Sequence, residues 1–65
     1  MKPECKLIGE NGNVFNLIGI VRRTLKDHDL EEELNRLDQD FKKIQETGGT
    51  YHDVLALFME YVDVV

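Results

Sequence analysis

Large apolar residues recur along this chain at steps of three and four over most of its length, and alternate with polar ones only near residues 4–8 and 61–65. The first kind of spacing predicts one apolar stripe on a helix, the second a short strand. Glu4-Cys5-Lys6-Leu7-Ile8 alternates and then meets Gly9, with Pro3 at its start, where no ladder donor is needed. Val14, Leu17, Ile18, Val21 and Leu25 predict a helix over 14–27. Leu30, Leu34, Leu37, Phe41 and Ile44 predict a second, from about 30 to 46, with a narrow seam of the coiled-coil type. Tyr51, Val54, Leu55, Phe58 and Val62 predict a third, its apolar face widened by Leu57 and Tyr61. The chain then turns β-like through Tyr61-Val62-Asp63-Val64-Val65.

Boundary residues sharpen this outline. Asn11-Gly12 is a strong hairpin signal and would allow a second strand through Val14-Phe15-Asn16-Leu17. The unbroken three-and-four spacing as far as Lys26 favours the other reading, in which Asn13 caps a helix. Asp29 with Glu32 reads as an acidic capping box for the second helix, and Glu32–Arg36 and Asp38–Lys42 as i,i+4 ion pairs along it. Gly48 fits the left-handed position that stops this helix, and Thr50 with Asp53 a capping box that starts the next. Gly19, inside the first helix, reads as a point of close approach by a neighbouring element rather than a kink.

These elements predict one α+β domain over 1–65, in the order strand, three helices, strand, with the two strands paired because a lone strand leaves its backbone unsatisfied. A third helix that runs straight on into the last strand favours antiparallel pairing. The expected core is Leu7, Val14, Leu17, Ile18, Val21, Leu25, Leu34, Leu37, Phe41, Ile44, Val54, Leu55, Phe58 and Val62.

Composition narrows the function. A 65-residue chain buries only about 60% of the surface its unfolded form exposes, so its core is marginal, and a single cysteine, Cys5, offers no internal disulfide. Cys5 lies among apolar residues and reads as a small buried hydrophobe in a reducing, cytoplasmic setting. No leader or membrane-spanning run is expected. The formal charge of −5 disfavours nucleic acid, whose binders carry a basic patch; the one cluster that could serve is Arg22, Arg23 and Lys26.

Candidate chemistry is sparse. Asp27-His28-Asp29 and His52-Asp53 hold ligand-type side chains without the spacing of a metal site, so no metal and no cofactor is expected. The Gly9-Glu10-Asn11-Gly12-Asn13 loop precedes a helix, yet lacks the lysine and hydroxyl of a phosphate loop, and Glu10 would repel an anion; ligand binding there is the weakest of the readings. No serine is present, and Thr24, Thr47, Thr50 and Cys5 have no evident base beside them, so no catalytic residue is assigned and no enzymatic activity is expected. The positive signal is apolar surplus. Phe15, Ile20, Leu57 and Met59 lie off the main stripes and would form a contact surface. The reading is a non-catalytic protein-interaction module that binds a partner protein or a second copy of itself, with nucleic-acid binding through Arg22, Arg23 and Lys26 as the alternative.

Two stretches carry a resemblance. Gly9-Glu10-Asn11-Gly12-Asn13-Val14-Phe15 and Met59-Glu60-Tyr61-Val62-Asp63-Val64 are similar to a Gly-x-Asp/Asn-Gly-Asn-x-Phe turn and a closing Met-x-aromatic-Val-x-Val. These occur, after an opening strand, in a scattered group of short bacterial proteins found also on phages and mobile elements. Tyr51-His52-Asp53 with Leu55 also fits the start of their last helix. The resemblance implies a helix rather than a hairpin after Gly12, and it implies no activity.

Overall fold

The computed structural model describes residues 2–65. The elements are β1 (Glu4–Cys5), α1 (Val14–Asp27), α2 (Glu31–Glu46), α3 (Tyr51–Tyr61) and β2 (Asp63–Val64). Each helix packs against the other two, and β1 and β2 form a two-stranded sheet that touches α1 and α3. The thinnest dimension is 17 Å, enough for two layers of elements around one core.

The start of α1 is fixed by three asparagines. The Asn13 side chain accepts from the Phe15 N–H at 2.9 Å, which satisfies one of the orphan donors of the first turn. Asn11 accepts from the Asn13 N–H at 2.9 Å, and Asn16 donates back to the Asn11 carbonyl at 3.0 Å. Local side-chain bonds of this kind draw Asn11-Gly12 into a helix lead-in rather than a hairpin. Upstream, the Glu10 N–H donates to the Leu7 carbonyl at 3.2 Å, and Gly9, at φ +88°, occupies the left-handed position of that turn.

Helices α1 and α2 both end in Schellman motifs. For α2, the Gly49 N–H donates to the Ile44 carbonyl at 2.9 Å and the Gly48 N–H to Gln45 at 3.5 Å, with Gly48 left-handed at φ +73°. For α1, the Leu30 N–H donates to Leu25 at 2.9 Å and the Asp29 N–H to Lys26 at 3.0 Å. The left-handed residue there is Asp29, at φ +58°. This corrects the expectation that Asp29 caps α2. The N-cap of α2 is Leu30, which has no side-chain cap bond; its first turn has instead Glu31, Glu32 and Glu33 to oppose the helix dipole. The Thr50–Asp53 capping box forms in full, with both reciprocal bonds present, at 3.2 and 2.9 Å.

The strands pair in parallel, Glu4 with Asp63 and Cys5 with Val64, not antiparallel. The expectation assumed a chain leaving α3 straight ahead. Instead, Val62 both closes the last helical turn, its N–H donating to Phe58 at 3.0 Å, and adopts an extended conformation with its side chain 1% exposed. Anchoring Val62 in the core bends the chain there, and the three helices supply the long crossover that parallel pairing requires. The ladder is shorter than the expected 4–8. Past Cys5 the chain curls over the end of β2, the Leu7 and Ile8 N–H groups both donating to the Val65 carbonyl at 3.0 and 3.1 Å.

Ten of the expected core residues are buried, and Val14, Leu34, Ile44 and Leu55 pack half-buried at its margin. Cys5, Leu57 and Tyr61 complete it. Among the described residues no buried side-chain nitrogen or oxygen lacks a partner. Two other expectations are corrected. The Glu32–Arg36 and Asp38–Lys42 pairs do not form; Asp38 instead meets Arg22 of α1 at 3.1 Å, tying two helices together. Gly19 is exposed, and a Cβ placed on it would meet nothing within 4 Å, so no neighbour approaches closely.

Candidate interaction surface

The four residues expected to form a contact surface fall in three places. Leu57 is in the core, 5% exposed, because α3 is covered on more than one side and its fourth and seventh residues, Val54 and Leu57, both turn inward. Ile20 is half-buried against the core. Phe15 is 65% exposed, with one edge resting on Phe41 in a T-shaped pair at 6.3 Å. It shares a shallow depression with Glu10, Asn16, Gly19, Ile20 and Arg23. Met59, 57% exposed, lies in a different depression.

That second depression is lined mainly by apolar side chains. It is an open groove of about 300 Å³ between the 7–12 loop, α3 and β2. Leu17 forms its floor; Leu7, Ile8, Leu55, Met59, Val64 and the Tyr51 ring form its walls, and Glu10 and Gly12 its rim. On α3 the wall is Tyr51, Leu55 and Met59, spaced by four, which is one straight ridge about 12 Å long. Ile8, which also lines the groove, is 68% exposed. A specific bond ties two sides of the groove together: the Tyr51 hydroxyl donates to the Gly12 carbonyl at 2.8 Å, which fixes the loop to the start of α3. Tyr51 and Leu55 read in the sequence as part of the inner face. The signal that they are wall residues is that α3 has more apolar positions than one buried stripe can use, so some must face outward.

The basic residues Arg22, Arg23 and Lys26 are all exposed and line a depression with Asp27 and Leu34. Arg22 is engaged by Asp38, and Asp27 sits within the cluster, so the three positive charges face two negative ones.

Cys5, His28 and Tyr61 each make contacts within the fold. The Cys5 thiol is 2% exposed and has the Thr24 hydroxyl at 3.3 Å; that hydroxyl also donates to the Ile20 carbonyl at 3.0 Å. His28 Nδ1 lies 2.8 Å from the Thr24 carbonyl at the end of α1. Among the described residues no three His, Cys, Asp or Glu side chains gather as metal ligands would. The Gly9–Asn13 loop directs its asparagine side chains to its own backbone and to α1. Tyr61 donates to Asp40 at 2.9 Å, and burial, together with this bond and the nearby carboxylate charge, pushes its phenol up to about 12. Among the described residues no helix is long and apolar enough to cross a membrane. In comparisons with family models, with curated proteins and with solved structures, nothing matches the chain.

Proposed function

We propose that this chain is a non-catalytic protein-interaction domain whose contact surface is the groove between the 7–12 loop, α3 and β2. The observation that carries the reading is the clustering of exposed large apolar residues. Ile8, Tyr51 and Met59, at 68%, 46% and 57% exposure, all border one depression, where singly scattered residues would need no explanation. A marginal core gives a second support, since binding a partner stabilises a small domain by mass action. The test is a surface variant that leaves the core alone. Met59→Glu places a charge on the groove wall at an exposed position, and its circular dichroism should match that of the original chain. Sedimentation velocity over a range of concentrations, and affinity capture run in parallel with both proteins, should show an association that the variant loses. Identical behaviour of the two proteins in both measurements would end the reading.

Nucleic-acid binding through Arg22, Arg23 and Lys26 has less behind it, because Asp27 and Asp38 offset much of the cluster's charge. It requires a salt-dependent mobility shift that is lost on Arg23→Ala with Lys26→Ala.

A further inference from the structure

The distribution of charge around the groove identifies what it would hold. All eight lysines and arginines lie at positions 2–6 and 22–43. The two stretches that build the groove, 7–13 and 51–65, contain Glu10, Asp53, Glu60 and Asp63 and no lysine or arginine. Glu10 stands on the rim itself. Lys2 reaches the Met59 carbonyl, at 2.7 Å, and shares a separate depression with Glu33 and Glu60, so this lysine and Glu60 both stand outside the groove, as does Lys6 beside Leu7. Glu10 is thus the carboxylate at the groove itself, and the chain's net charge of −5 adds a weaker, screened negative field around it. An apolar trough under a negative field selects an apolar segment with positive flanks.

Resting on the reading of the groove as a docking surface, we propose that its occupant is a short amphipathic helix of another protein, apolar on one face and rich in lysine or arginine beside it. The straight Tyr51–Leu55–Met59 ridge matches about two turns of such a helix, which would lay residues spaced by three and four between the ridge and Ile8. A second copy of the chain is a poorer occupant. Two copies bring −5 against −5, and a two-fold contact of groove on groove sets Glu10 and its neighbouring carboxylates against their own kind.

The test uses the whole chain and two synthetic peptides of about three helical turns with the same leucine face, one flanked by lysines and one by glutamates. Binding is followed by fluorescence anisotropy and by backbone amide shifts at moderate salt. The lysine peptide should bind roughly tenfold more tightly, equivalent to about 1.4 kcal/mol, with shifts centred on Ile8, Tyr51, Leu55, Met59 and Val64. Reversing the rim charge with Glu10→Lys, at an exposed position, should remove or invert the preference, and Met59→Asp should weaken both peptides. Equal binding of the two peptides in the groove overturns the charge inference while leaving the docking surface in place. Shifts that avoid the groove, or no binding, also overturn it. Dimerisation at neutral pH that Met59→Asp abolishes makes a second copy the occupant; the inference then fails and the interaction reading stands. Failure of the interaction reading is seen separately, in Met59→Glu having no effect on any association of the chain.

Discussion

Tyr61 shows how one side chain serves two environments. Its ring completes the core, 9% exposed, while its hydroxyl reaches the half-buried Asp40 on α2. Because the folded-state phenol is raised to about 12 from its ordinary 10, the protonated form is favoured in the folded protein. Its contribution is fully present below pH 10 and is lost as pH climbs from 10 to 12. Tyr61→Phe should cost about 1 kcal/mol at neutral pH, in urea unfolding followed by circular dichroism. The gap between the two proteins should close over that alkaline window, whereas a constant gap would show that the phenol is not held in this way. Two glycines predict opposite outcomes. Gly19→Ala fills open space on an exposed helix face and should add up to about 1 kcal/mol of stability. Gly49→Ala drives a methyl group into the Ile44 side chain and its carbonyl, within the motif that ends α2, and should lower stability. Thermal unfolding of the two variants beside the parent checks both signs.

At the scale of elements, the junctions decide what periodicity leaves open. The bounds of α1 and the Thr50–Asp53 box were legible because Asn13, Thr50 and Asp53 act on backbone groups two or three residues away. Asp29 was misread because aspartate serves two uses, accepting from the first N–H groups of a helix and tolerating the left-handed conformation, and only tertiary packing chooses between them. Here Leu30 packs against the core while its N–H reaches back to Leu25, which places Asp29 at positive φ. Asp29→Gly should therefore stabilise the protein by about 0.5–1 kcal/mol, since glycine takes that conformation without steric cost; had Asp29 been the cap, the same change would be neutral or harmful. The denaturant midpoint tells the two apart. The direction of the strands lay beyond local signals for a like reason: it depends on Val62 being drawn into the core, a contact with distant residues. The groove was half legible. Its apolar surplus was visible on α3, but which of Leu57 and Leu55 turns outward depends on where α1 and the 7–12 loop lie.

For the molecule as a whole, charge and apolar surface act against each other. A net charge of −5 opposes association between copies of the chain at neutral pH, and Glu10 on the groove's rim adds to that repulsion beside the exposed apolar residues. Lowering the pH towards the isoelectric point, near 4.8, removes the repulsion and leaves the groove's apolar walls as they were. Sedimentation velocity should then show the chain self-associating as pH falls from neutral towards 4.8, and reversing on return. Met59→Lys should suppress this association, because it puts a charged, strongly hydrated group on the apolar groove wall of every copy, where contact would have to desolvate it. Phe15→Lys adds the same charge in the other depression and should leave the association largely in place. Equal suppression by the two variants would mean that loss of net repulsion alone governs self-association, and would remove the groove from the account.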